Sequence, residues 1–149
     1  MATRFSHTAI VARDADLLAA FYIDVLGCEL SGPPRDLFGA ALEQGMGLPG
    51  AHVRGVHLRL PGYGDSGGPV LEIFALDTTV PSPYDVNRLG LMHVAFAVDD
   101  IRATYERLLA CGGTAQGSIA EVAVAGVGTA EFVYCRDPEG NLLELQGWR

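Results

Sequence analysis

The chain carries the same local pattern twice, and that duplication limits its fold more than any other feature. Residues 16–21, D-L-L-A-A-F, align with residues 100–105, D-I-R-A-T-Y: an Asp, an aliphatic residue, an Ala and an aromatic at matching positions. Residues 68–73, G-P-V-L-E-I, align with residues 140–145, G-N-L-L-E-L. One histidine precedes each copy of the first pattern, His7 nine residues before Asp16 and His93 seven before Asp100. The His-to-Glu separations are 65 residues in the first copy (His7 to Glu72) and 51 in the second (His93 to Glu144). A repeat of this kind marks a supersecondary unit that is used more than once. With 149 residues the chain has room for one domain made of two such halves.

Hydrophobic spacing gives each half its elements. Residues 5–11 read as a strand, and D-A-D-L-L-A-A-F-Y-I-D-V-L-G (14–27) reads as a helix with Asp14 or Asp16 as N-cap and Gly27 as its stop. The next stretch is broken by Gly and Pro, with a short strand expected around 37–43. R-G-V-H-L-R-L and P-V-L-E-I-F-A-L read as a hairpin across the Gly-rich loop P-G-Y-G-D-S-G-G. A polar connector with prolines at 81 and 83 follows, and the order then restarts. L-M-H-V-A-F-A-V (91–98) is a strand, and the segment from Asp99 or Asp100 to Gly112 is a helix. A-E-F-V-Y-C and N-L-L-E-L-Q-G-W are strands joined by the tight turn R-D-P-E-G, with Pro138 pre-set for the bend. The expected organisation is a single domain over 1–149, with a first module at 1–79, a connector at 80–90 and a second module at 91–149.

Alternation along a strand sorts the side chains by face. Glu72 shares a face with Val70 and Phe74, and Glu144 with Leu142 and Gln146, while Leu71, Ile73, Leu143 and Leu145 point the other way. His7 lies with Phe5 and Ala9, and His93 with Ala95 and Ala97. Each half therefore offers a sheet with a greasy back and a front bearing one His and one Glu. A histidine in an apolar run is costly unless it has partners. If the two fronts face each other, His7, Glu72, His93 and Glu144 converge into a four-ligand set of two imidazoles and two carboxylates. Such N and O donors suit one divalent ion of Zn, Ni, Co, Mn or Fe, with water in the open positions.

Composition narrows the partners. The formal net charge is −8 and no basic cluster occurs, which argues against nucleic acid and against an anionic membrane surface. No apolar run approaches the roughly 20 residues of a membrane span, and the start lacks a signal-peptide segment. Cys28, Cys111 and Cys135 are scattered and odd in number, as expected of reduced thiols in a cytoplasmic protein.

On these residues the chain resembles the vicinal oxygen chelate superfamily of glyoxalases, extradiol dioxygenases, acyl-CoA epimerases and antibiotic-resistance proteins. H-T-A-I-V-A-R-D-A-D-L-L-A-A-F-Y-I-D-V-L-G, V-L-E-I-F-A-L, G-L-M-H-V-A-F-A-V-D-D and C-R-D-P-E-G-N-L-L-E-L stand in that family's order. The resemblance implies an α+β fold of two tandem βαβββ modules forming a cupped, mostly antiparallel sheet, with helices on the outer face, usually in a homodimer. It places metal ligands at His7, Glu72, His93 and Glu144, a set like that of the glyoxalase branch. By the same resemblance Glu144 is the mobile ligand and catalytic base, and Glu72 its pseudo-symmetric counterpart. The implied chemistry is isomerisation, lyase action or epimerisation through a metal-chelated enediolate. Its substrate would carry adjacent oxygens or a carbonyl beside an acidic C–H. Glutathione-using glyoxalase I has an Arg where this chain has Val11 and an Asn where it has Leu76, so a glutathione adduct is not the expected substrate. The family also offers an Fe(II) or Mn(II) extradiol-type dioxygenase and a metal-free drug-sequestering protein as alternatives.

Other motifs carry less. G-Y-G-D-S-G (62–67) matches a dinucleotide fingerprint in letters only, because a strand rather than a helix follows it, and no cofactor of that class is expected. His57 and Arg59 share a strand face and either line the pocket or meet solvent. His52 is expected to be exposed, and Tyr84 and Arg88 to belong to a polar linker.

Overall fold

The structure, a computed structural model, describes residues 3–64, 67–83 and 85–149. Tyr84 and part of the 62–67 loop lie outside the described residues. The chain divides into two compact units, Met1–Pro81 and Ser82–Arg149.

In the first unit, β1 (His7–Val11) leads into α1 (Ala15–Leu26). Asp14 is the N-cap, its carboxylate accepting from the Leu17 N–H at 3.0 Å. Gly27 ends the helix at φ 70°, the left-handed conformation a C-terminal stop requires. There its N–H reaches Ile23 O, and the next N–H reaches Tyr22 O. Leu18, Phe21, Tyr22, Val25 and Leu26 form the buried stripe of α1. β2 (Glu29–Leu30), β3 (Arg35–Phe38) and α2 (Ala40–Met46) come next, followed by the hairpin of β4 (His52–Arg59) and β5 (Val70–Leu76). The sheet runs β1-β5-β4-β2, with β3 also on β4; β1 and β5 are parallel and the other pairs antiparallel. Leu58, Leu71 and Ile73 are fully buried on the face that α1 covers. Each such aliphatic contributes about 1.5–3 kcal/mol of hydrophobic stabilisation.

The second unit repeats this plan. β6 (Val94–Ala97) leads into α3 (Ile101–Ala110), whose N-cap Asp100 accepts from the Ala103 N–H at 2.9 Å. β7 (Thr114–Ala115), β8 (Ala120–Val124), β9 (Gly128–Arg136) and β10 (Leu142–Trp148) complete it. The sheet runs β6-β10-β9-β7, with β8 on β9, and again only the first-to-last pair, β6 with β10, is parallel. Each unit is thus a βαβββ module in which the strand after the helix is split in two, β2/β3 and β7/β8. α3 buries Ile101 and Leu108 and packs on β9 and β10, whose Val133, Leu143 and Leu145 are fully buried.

Two expectations are corrected. The segment expected as a strand over 37–43 holds β3, which ends at Phe38, and then a helix. Gly39 at φ 100° turns the chain, and Ala-Ala-Leu-Glu-Gln are good helix formers up to Gly47, which stops the helix at φ 64°. The first strand, whose apolar run of residues around His7 would suggest burial, is largely exposed, with Val11 among the open residues.

Candidate metal-binding site

Strand register places the candidate ligands. Ala9 is the partner of Glu72 across β1 and β5, and His7 stands two residues earlier on the same face. Ala95 is the partner of Glu144 across β6 and β10, and His93 stands two residues earlier, just ahead of β6. The offset is identical in both units. His7 Nε2 lies 3.5 Å from Glu72 Oε2, and His93 Nε2 lies 2.9 Å from Glu144 Oε2. The His7 side chain is 46% exposed and that of His93 22%, so the first imidazole is the more open. His93 Nδ1 is buried and without a hydrogen-bond partner. An unsatisfied buried ring nitrogen costs about 1–3 kcal/mol. That is unnecessary for a histidine that only fills a core, and it fits one held for its other nitrogen.

On the far side of each carboxylate strand stands a residue that sequence reasoning left open or overlooked. His57 of β4 is the register partner of Glu72, its Nε2 3.2 Å from Glu72 Oε1. Tyr134 of β9 is the register partner of Glu144. Burial first, then the charge and hydrogen bonding of Glu144, push the Tyr134 phenol above its ordinary value. The ring of Tyr134 also meets that of His93 edge-on, with centroids 5.1 Å apart. His57 therefore belongs on the Glu72 face. Arg59, its neighbour in alternation, is instead tied to Glu29 of β2. Alignment of β4 with β9 was the signal that would have found both residues.

The remaining candidates lie elsewhere. His52 bridges two carboxylates, Asp36 at 2.6 Å and Asp77 at 3.1 Å, and Arg54 also pairs with Asp77. Arg88 donates to the carbonyls of Leu89 and Leu91, closing its own loop. All three cysteines are free thiols. Burial pushes Cys28 up to about 11, and burial together with the Asp137 charge pushes Cys135 up to about 12, so neither serves as a nucleophile or a ready ligand.

Among the described residues, no three or more His, Cys, Asp or Glu side chains gather closely enough to hold a metal ion. Each unit presents one imidazole–carboxylate pair, and neither pair is by itself a full coordination shell. The donor chemistry nonetheless fits a borderline divalent ion: two imidazole nitrogens, two carboxylates and no thiolate.

Comparison with known proteins agrees with the two-module plan. The chain is 29% identical over 143 residues to a probable lactoylglutathione lyase of Vibrio parahaemolyticus serotype O3:K6 (strain RIMD 2210633), covering 95% of this chain and 88% of that one. A glyoxalase family protein from Bacillus cereus has the same fold, with a TM-score of 0.83 at 24% identity over 99% of this chain and 95% of that one. FosX, a fosfomycin resistance protein from Listeria monocytogenes, shares the fold with a TM-score of 0.60 at 16% identity, over 100% and 94% of the two chains. The model of the Glyoxalase/Bleomycin resistance protein/Dioxygenase superfamily matches residues 4–145, and the chain belongs to that superfamily.

Proposed function

We propose that His7, Glu72, His93 and Glu144 hold one divalent metal ion (Zn, Ni, Co, Mn or Fe). With it, the protein would act as an isomerase, lyase or epimerase on a small molecule bearing adjacent oxygens or a carbonyl beside an acidic C–H. The observation that carries this reading is the repeated register: in each unit a histidine stands two residues before the strand partner of a glutamate, on its face and within 3.5 Å. Members of the superfamily act on small molecules and typically use a divalent metal. When bound, the cation polarises the substrate oxygens and stabilises negative charge that develops on them.

The chain's own residues then have distinct tasks. Glu144 takes the proton from the carbon beside the carbonyl and returns it elsewhere. Glu72 is its counterpart in the first unit and a ligand throughout. His7 and His93 would each offer a ring nitrogen and bring no negative charge to the set. Val11 and Leu76 stand on the His7–Glu72 face of β1 and β5. An apolar pair there gives a glutathione moiety neither ion pair nor amide contact, so we read the substrate as other than a glutathione adduct. Free thiols at Cys28, Cys111 and Cys135 suit a reducing cytoplasm, and we take the working unit to be a homodimer.

Two assays test the reading. Glu144→Gln should bind metal and lose exchange of the acidic C–H with solvent deuterium on any accepted substrate; full exchange would remove Glu144 as the base. Wild-type protein should turn over glutathione–methylglyoxal hemithioacetal negligibly, and efficient turnover would return the chain to the glutathione-using class.

A further inference from the structure

The two modules match on the second flank of the carboxylate strand as well as on the first. Glu72 lies between His7 of β1 and His57 of β4, and the two imidazoles address different oxygens: His7 Nε2 at 3.5 Å from Oε2, His57 Nε2 at 3.2 Å from Oε1. His57 is itself held in place. Its ring meets Phe74 edge-on, with centroids 5.6 Å apart. Phe74 in turn lies over Gly55, where a Cβ would come within 2.8 Å of the Phe74 ring and would collide with the Ile73 carbonyl oxygen. A side chain at position 55 would thus displace the ring that braces His57. In the second unit Tyr134 takes the equivalent place. It faces Glu144 across β9 and β10 and packs on His93. A phenol carries an O–H that can donate to the carboxylate it faces.

We propose that His57 and Tyr134 are positioning residues. Each occupies one oxygen of its carboxylate and so aims the other oxygen, on the histidine side, at the cation. The proposal rests on the reading of Glu72 and Glu144 as ligands. A carboxylate fixed at one oxygen binds through the other, and it enters the coordination shell already ordered. The two donors belong to different side-chain types, an imidazole and a phenol, which is why the sequence repeat does not reveal them as a pair.

Equilibrium zinc affinity of the full chain, measured by competition with a chromophoric chelator, tests this without reference to turnover. His57→Phe keeps a ring against Phe74 and removes the N–H; Tyr134→Phe removes one hydroxyl. Each should weaken zinc binding by about 10–100-fold, the usual consequence of losing a partner behind a metal ligand. His57→Gln, which restores an N–H donor, should recover most of the affinity. Zinc bound as tightly by both phenylalanine variants as by wild type would overturn the proposal. So would a His57→Gln protein as weak as His57→Phe, since a donor at position 57 would then not be what orders Glu72. If His57→Phe fails to fold, Tyr134→Phe decides the matter alone. A wild-type protein that takes up none of zinc, nickel, cobalt, manganese or iron would refute the ligand reading itself, and this inference with it.

Discussion

Asp77 shows how much a single side chain can be tuned at the surface. The Arg54 guanidinium, donating to Asp77 and adding its charge, holds the carboxyl below its ordinary 3.8, with a smaller contribution from His52. A carboxylate whose folded pKa is depressed contributes stability at pH above the unfolded value. That contribution is lost as pH falls through the folded value. The difference in thermal midpoint between wild type and Asp77→Asn should therefore be present at pH 5–7 and should shrink below about pH 3.8. A difference that stays constant through that range would show that the carboxylate's charge is irrelevant here. The pairing of His7 with Glu72 and of His93 with Glu144 was legible from sequence because the duplication lets each be read against its twin. His57 and Tyr134 were not, because an imidazole and a phenol do not align by letter and only the register reveals them as equivalents. His52 was read as an exposed residue, and its two carboxylate partners come from segments 16 and 25 residues away.

At the scale of elements, the helices were the most readable because their ends are chemically marked. Asp14 and Asp100 each accept the backbone N–H three residues on. Replacing either with Ala should cost about 1 kcal/mol in urea unfolding, whereas Asn, which still accepts, should cost much less. Equal losses for Ala and Asn would mean that charge near the helix dipole, not the cap bond, is the source. The turn R-D-P-E-G was legible as a turn, but not the means by which it is held. Asp137 is buried and accepts from the N–H groups of Glu139 and Asn141 and from the Asn141 side chain, bonds no local propensity reveals. α2 was missed for the opposite reason. Its seven residues bury no side chain, so no hydrophobic period marks it, and glycines at both ends imitate a loop.

For the whole molecule, the duplication dictates the architecture. Two βαβββ modules each place a parallel first-to-last strand pair beside an antiparallel partner, and that lattice fixes one His–Glu pair per unit at the same offset. Among the described residues no helix is long and apolar enough to cross a membrane. The central claim is that the two pairs serve one cation jointly and not one each. Elemental analysis of protein purified without chelator, repeated on His7→Ala and on His93→Ala, tests it most directly. The account predicts one divalent ion per wild-type chain and loss of most of it from either variant. Two ions per chain, or a variant that keeps its full complement, would contradict it.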